Sequence, residues 1–532
     1  MTEHVNWHED GTSTPEEQTD PPPIAHNATA RREALTLLAS IFVIAACGLV
    51  YELLIATVSS YLLGSSVTQF SVSIGVFIGA MGAGSHLSQR FHRNLLTGFI
   101  AIELAIGMLG GLSVLLLFWA YAAGPAYWLC LYALLIAIGT MVGLELPLLT
   151  RILKRYGTLR QIIAQALSFD YIGALVGSLL FPLVLLPAFG MARTALLVGL
   201  LNVSVAFWNV RVFAAQLPTP LCWTGASGLC GLTLAITCGF APGLVSLAES
   251  RLYEDEIIYT RQTPYQRIVI TRWRSDMRLF LDGNLQFASP DEYRYHETLV
   301  HPAMALCPRP ENVLVLGGGD GLGVREVLKH PAVRQITLVD IDPEMTRLGR
   351  TFPALVALNA RALHDPRVTR IHEDAYRFLE RASAQYDVII ADLPDPNSDV
   401  LAKLYSVQFF RLVRRHLSAS GVFVTQASSP FFSRDAFWCI VRTLRAAGLQ
   451  TAPYHAYVPS FGDWGFVLAA SRPLHIASLQ IRVPTRYLTT QLLPTLFLFG
   501  NDTAETEVEV STLDHPRILQ YYLNGASQWD AP

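Results

Sequence analysis

N-V-L-V-L-G-G-G-D-G-L-G, residues Asn312–Gly323, decides how the second half of this chain folds. Val313–Leu316 is a short apolar run of the kind that forms a buried strand. It runs into Gly317, Gly318, Gly319 and Gly321, with one acid, Asp320, among them. Glycine lets backbone turn tightly and approach a ligand with no Cβ in the way. The spacing then predicts an amphipathic helix over Val324–His330. Strand, glycine-rich turn and helix form the first unit of a nucleotide-binding α/β sheet.

The stretches that follow strengthen that reading. Gln335–Asp340 reads as a second buried strand, ending in an acid about twenty residues past the glycines, where a Rossmann-like site places a carboxylate for a ribose diol. Val368–His372 leads into Glu373-Asp374-Ala375, and Tyr386–Ala391 into Asp392-Leu393-Pro394-Asp395-Pro396. A single aspartate at such a position is ordinarily a helix cap or a turn residue. Successive strands that each end in an acid instead mark the carboxyl edge where open α/β sheets bind ligands.

Composition divides the chain. Its 532 residues are 52% hydrophobic and 15% charged, too apolar for a wholly soluble protein and too charged for a wholly membrane one. Residues 1–33 are polar and aperiodic, which predicts a disordered tail without a signal-peptide core. Residues 34–248 are nearly continuous apolar sequence, and 249–300 reads as a small β-sheet cap. A Rossmann-like domain at 301–475 and a C-terminal extension at 476–532 follow. The fold class expected is therefore a multi-span α-helical membrane domain followed by an α/β Rossmann-like domain with a small N-terminal β-sheet cap. The seven cysteines form no CxxC or Cys/His cluster, so neither a disulfide framework nor a metal site is expected. A net charge of −3 argues against nucleic acid as a partner.

By the criterion of about 20 apolar residues per crossing, the apolar half holds seven spans: 35–59, 67–89, 97–121, 126–149, 163–187, 190–210 and 221–246. Arg31, Arg32, Arg90, Arg93, Arg151, Lys154, Arg155 and Arg160 flank the first span or follow even-numbered ones. The positive-inside rule puts those loops in the cytoplasm, and seven crossings would then leave the C-terminal half outside. Glu52, Glu103, Glu145 and Asp170 lie within the spans, where carboxylates are costly and suggest a functional site for a cation. Gly75, Gly79, Gly82 and Gly84 predict close helix packing.

Nine stretches then occur in a fixed order: P-Y-Q-R-I, L-D-G-N-L-Q, D-E-Y-R-Y-H-E, L-G-G-G-D-G, V-D-I-D-P, E-D-A-Y-R-F-L, Y-D-V-I-I-A-D-L-P-D-P, L-Y-S-V-Q-F-F and V-P-S-F-G-D-W-G-F. Together they resemble the spermidine synthase (polyamine aminopropyltransferase) family over about residues 250–470. The whole chain resembles the branch in which a multi-span region precedes the synthase. The resemblance implies transfer of an aminopropyl group from decarboxylated S-adenosylmethionine to putrescine or a similar amine, releasing methylthioadenosine. It implies donor contacts by Gln266, Gly317, Gly319, Asp320, Asp340, Asp374 and Ala375. Tyr295 and His296 would line the donor–acceptor boundary, Asp395 would help bind the amine, and Asp392 would be the base. It implies no cofactor, the donor being a co-substrate. A bilayer and the two small substrates are the partners expected, with homo-oligomers formed through the β caps. The location expected is a cell membrane, with the catalytic domain cytoplasmic.

Residue chemistry supports the same roles. Decarboxylation turns the donor's carboxylate end into an ammonium, which Asp320 would attract while repelling the carboxylated form. A diamine carries two positive charges, and Asp392 and Asp395 place two carboxylates within four residues. The attacking nitrogen must be neutral, and a carboxylate in reach can take its proton. The sulfonium is already activated, so the remaining requirement is in-line positioning. The sequence departs from soluble members in lacking Gly-Pro after Asp395-Pro396, in carrying Asp340 where many have Glu, and in carrying Phe461 where Tyr is frequent. Diamines of other lengths, agmatine and spermidine remain open as acceptors. A membrane-anchored S-adenosylmethionine methyltransferase and a polyamine transporter with a sensing domain are the alternative readings.

Overall fold

In the computed structural model, residues 28–63, 66–124, 126–249, 253 and 255–529 are described. Apolar sequence without a polar face folds into seven helices: α1 (Ala28–Leu63), α2 (Ser66–Leu87), α3 (Leu95–Ala122), α4 (Ala126–Leu153), α5 (Leu159–Leu180), α6 (Leu186–Val212) and α7 (Pro220–Glu249). Most of the expected tail lies outside the described residues, and α1 begins within its last part. Counted as unbroken helix, six stretches are long and apolar enough to cross a membrane, the longest being Leu159–Val212. That stretch contains the non-helical Gly190 (φ 71°, ψ 178°), an angle only glycine adopts cheaply.

Neighbouring contacts show that the chain reverses there. Gly173 and Gly177 of α5 pack on Phe42 and Ala46 of α1, so α5 runs alongside α1. Asn209 donates to Ser40 (2.8 Å) and Gln216 to Glu33 (3.1 Å), so α6 runs against it. Gly107 and Gly111 of α3 meet Val203 and Gly199 of α6, and Leu234 of α7 meets Gly199, which makes α3 and α7 antiparallel to α6. The basic loops share one face: Tyr156 donates to Glu33, and Arg151 donates to the Ser88 and Phe91 carbonyls. The end of α7 lies at the opposite face. Of the four glycines expected to pack helices, Gly75, Gly79 and Gly82 face open space, and Gly84 alone abuts a neighbour, Thr140. Spacing within one helix does not say which face the bundle covers.

Four antiparallel strands follow: β1 (Glu256–Gln262), β2 (Arg267–Trp273), β3 (Asp276–Leu281) and β4 (Asn284–Ala288). Asp282 (φ 48°) and Gly283 (φ 81°) join β3 to β4, both in the left-handed region that a two-residue hairpin requires. The sheet's apolar face, Ile268, Ile270, Met277, Leu279 and Phe287, packs on Leu322, Met345, Leu348 and Leu355. It therefore caps the helices that follow the glycine loop.

The main sheet has β5 (Asn312–Gly317), β6 (Gln335–Asp340), β7 (Val368–His372), β8 (Tyr386–Asp392), β9 (Leu417–Gln426), β10 (Gln450–Val458) and β11 (Gly462–Ala470). Their order is β10-β11-β9-β8-β5-β6-β7. The stretch from β9 to β7 is parallel and the β10–β11 edge antiparallel, so the sheet is mixed. Core strands such as β5 are fully buried at Val313–Leu316, as their unbroken apolar runs predict. Strand order switches direction between β5 and β8, which opens a crevice at their carboxyl ends.

Candidate active site

Gly317, the last residue of β5, lies in register with Asp392, the last of β8. A Cβ on Gly317 (φ 79°) would collide with the Asp392 carbonyl oxygen, and one on Gly318 (φ 65°) would sit 2.9 Å from Asp392 Oδ2. The glycines are thus required for the loop to pass beside this carboxylate. Tyr295 Oη donates to Asp392 Oδ1 (2.9 Å), which fixes the carboxylate's rotation. Oδ2 is buried and has no hydrogen-bond partner. Burial pushes the Asp392 carboxyl above its usual range, and the nearby His296 and Tyr295 act to hold it down.

His296 Nε2 stands 3.9 Å from Asp392 Oδ2. Its Nδ1 is 2.9 Å from Glu292 Oε2, one turn earlier on the helix Glu292–Leu306, and Arg325 donates to both oxygens of that carboxylate at 2.8 and 2.9 Å. Burial opposes a charge on His296, yet the Glu292 carboxylate holds its pKa up to about 9. Glu292 thus favours the protonated imidazole beside Asp392.

Asp320 closes the loop on itself, accepting from the Leu322 N–H at 2.7 Å. Burial pushes its carboxyl up to about 6 against the pull of His296. Asp340 accepts from the Asp342 N–H (2.8 Å) and the Gly319 N–H (2.9 Å), so it staples the glycine loop to the end of β6. Burial lifts it to about 7. Gln266 reaches the same place from the cap, donating to Asp342 at 3.1 Å, beside Thr263 at 2.8 Å. Asp374 accepts from the Tyr376 and Arg377 N–H groups and pairs with Lys403 (2.6 Å), while Ala375 is buried at the start of that helix. Burial opposes the Asp374 charge, but Lys403 and the helix N–H groups leave its carboxyl below the usual range. From β8 to β7 the acids span three strand intervals, roughly 14 Å, the reach of a nucleoside carrying a side arm.

Asp395 lies beyond Asp392. It accepts from Gln426 Nε2 (3.1 Å) and bonds the Tyr522 hydroxyl, and burial pushes it up to about 6. Gln426 also donates to the Leu393 carbonyl (2.9 Å) and to Tyr405 Oη (2.7 Å), while Tyr405 donates to the Pro394 carbonyl (2.9 Å). These two side chains frame the D-L-P-D-P loop without the Gly-Pro of soluble members. Phe461 packs against Trp464, with ring centroids 4.9 Å apart, and stands 6.1 Å from Tyr295.

All the residues expected at the site thus lie along the carboxyl edge of the sheet. Tyr295, His296, Asp320, Asp392 and the glycines converge most tightly, and Asp374 is the most remote. Glu292, Arg325, Tyr405, Gln426 and Tyr522 were not anticipated. Glu292 did stand in the quoted D-E-Y-R-Y-H-E, four residues before His296, where a helix places them on one face. Tyr405 likewise stood in the quoted L-Y-S-V-Q-F-F, whereas Arg325, Gln426 and Tyr522 approach from outside the quoted stretches.

Residues 292–477 match the family model described as spermine/spermidine synthase domain. The polyamine aminopropyltransferase of Leptospira interrogans is 43% identical over 486 residues, 91% of this chain and 97% of its own. Polyamine aminopropyltransferase 1 of Ralstonia nicotianae is 46% identical over 516 residues, 94% of this chain and 98% of its own. Matches this long extend into the helical half as well as the sheet. A crystal structure of spermidine synthase in complex with the transition-state analogue AdoDATO is 25% identical, covering 46% of this chain and 86% of that chain with a TM-score of 0.42. With relatives at these identities spanning both halves, the chain belongs to the polyamine aminopropyltransferase family.

Proposed function

We propose that this enzyme transfers the aminopropyl group of decarboxylated S-adenosylmethionine to an amine of the putrescine class, with Asp392 as general base. The observation that carries the reading is Asp392 Oδ2, buried, without a hydrogen-bond partner and adjacent to the glycine loop, while Tyr295 holds Oδ1. The amine nitrogen attacks the aminopropyl methylene carbon bonded to the sulfonium sulfur. The C–N bond forms, the C–S bond breaks, and its electron pair returns to sulfur to give methylthioadenosine. The proton lost by nitrogen passes to Asp392 Oδ2.

Each neighbour has a physical task in this reading. His296, charged through Glu292, keeps Asp392 ionised in a dry crevice where burial alone would protonate it. Asp320 pairs with the donor's ammonium, and Asp340, with Gln266 nearby, receives the ribose. Asp374 and Ala375 hold the base, with Lys403 locking the Asp374 carboxylate in place. Asp395, with the Tyr522 hydroxyl, takes the far ammonium of the acceptor. Tyr522 belongs to the C-terminal helix Arg517–Trp529, so the extension returns a hydroxyl to the acceptor side, where Phe461 lacks one. The sulfonium supplies the activation, so the reaction calls on no cofactor. The test is product mass: putrescine incubated with the donor gains one aminopropyl group, and Asp392→Asn abolishes the gain. An amine that instead gains a methyl group from carboxylated S-adenosylmethionine overturns the reading.

The bundle, in the same proposal, crosses a membrane. The donor is made in the cytoplasm and its sulfonium does not cross lipid unaided, so the α/β half is placed there. The helix directions then put the basic loops outside, against the usual loop-charge bias. A reporter fused after Gly243 reads the side directly, and external activity overturns the cytoplasmic placement.

A further inference from the structure

Inside the helical half, Glu103 of α3 (0% exposed) and Glu145 of α4 (2% exposed) face each other in the interior. Their two carboxyls share a hydrogen bond with each other, and none of their four oxygens has a partner outside the pair. The Tyr51 hydroxyl of α1 is equally buried, lies within electrostatic reach of both glutamates, and is also unpartnered. Its ring is seated on Gly110, where a Cβ would meet it at 2.6 Å, so the tyrosine is held in place by packing. Pro147 of α4, in the turn after Glu145, removes the N–H that would occupy the Gly143 carbonyl. The cluster is therefore rich in acceptors and has no cationic side chain among its members. A buried carboxyl pair answered only by a proton shared between its members is open to exchanging that proton for a cationic donor.

We propose that Glu103, Glu145 and Tyr51 form an amine-cation site within the bundle, separate from the acceptor site of the α/β half. An ammonium group carries only donors, complementary to these oxygens. A diamine's two charges match the two carboxyls, and the unpartnered Tyr51 hydroxyl adds a further acceptor. The amine class rests on the aminopropyltransferase reading. The acceptor-rich cluster itself does not.

Equilibrium dialysis of the full-length protein in detergent against labelled putrescine tests this. Wild type binds two amines per chain. Glu103→Gln and Glu145→Gln each bind one, with methylthioadenosine release unchanged, and Asp395→Asn loses the other. A wild type that binds one amine, unaffected by Glu145→Gln, overturns the proposal. Should both glutamine variants fail to fold, carbodiimide modification of wild-type Glu103 and Glu145, mapped by peptide mass, decides instead. Putrescine then slows labelling about tenfold relative to sodium at equal ionic strength. No protection, or equal protection by sodium, overturns the amine site. Failure of the transferase reading would show separately, as absent methylthioadenosine release with binding at Glu145 intact.

Discussion

Both halves of this protein bury carboxylates, but only one half answers them. Along the sheet edge, Asp392 has Tyr295 and His296, Asp374 has Lys403, and Asp340 has two backbone N–H groups. In the bundle, Glu103 and Glu145 have only each other. A buried charge with its partners in place is preorganised for chemistry on something that arrives. A buried charge without them is complementary to the arrival itself. Within the sheet site the same contrast recurs at the atomic scale, since Asp392 Oδ1 is held and Oδ2 is left open.

The largest effect should come from closing that open oxygen. Asp392→Asn removes the base and should lower kcat by roughly 10³-fold, measured with saturating donor and amine. A variant within tenfold of wild type would break the division between held and open oxygens. Glu292→Gln is next, with a loss of roughly 10- to 100-fold at neutral pH. Without the Glu292 carboxylate, His296 loses its proton more easily and no longer favours the ionised form of Asp392. The carboxyl's pKa then rises, and the acid limb of the kcat/KM profile moves to higher pH. A uniform loss with an unmoved limb would make Glu292 a packing residue only.

Asp320→Asn should raise the donor's KM about tenfold and let carboxylated S-adenosylmethionine compete better, because the repulsion that excludes it is gone. Inhibition constants for the two donors check this. Tyr522→Phe should raise the amine's KM only a few-fold, about 1 kcal/mol for one hydroxyl, with the donor's KM unchanged. The smallest effect sharpens the contrast most. Glu103→Gln combined with Glu145→Gln should leave transfer within about twofold, since these groups serve a different ligand from the sheet's acids.

Much of this was legible in the sequence, for reasons of period and position. β6 and β8 end in aspartate and β5 and β7 are followed by one within three residues, so each acid lies at the carboxyl edge. The β10–β11 edge that makes the sheet mixed had no such marker. Residues that hold the acids were harder to see, because Arg325, Gln426 and Tyr522 meet their partners only after the chain has folded back. The bundle reads well as spans and poorly as packing. Hydropathy marked Glu103 and Glu145 as anomalous, but not that they converge. The glycines that touch neighbours include Gly107, Gly143 and Gly173, not the regular series Gly75, Gly79 and Gly82.

The central claim is an amine-dependent aminopropyl transfer based at Asp392. Its most direct measurement is methylthioadenosine release by the detergent-purified protein, supplied with decarboxylated S-adenosylmethionine and a panel of amines. Release that requires both an amine and Asp392 is the predicted result, and the amine giving the highest kcat/KM identifies the acceptor. Silence with every amine, or turnover only with the carboxylated donor, would contradict the account.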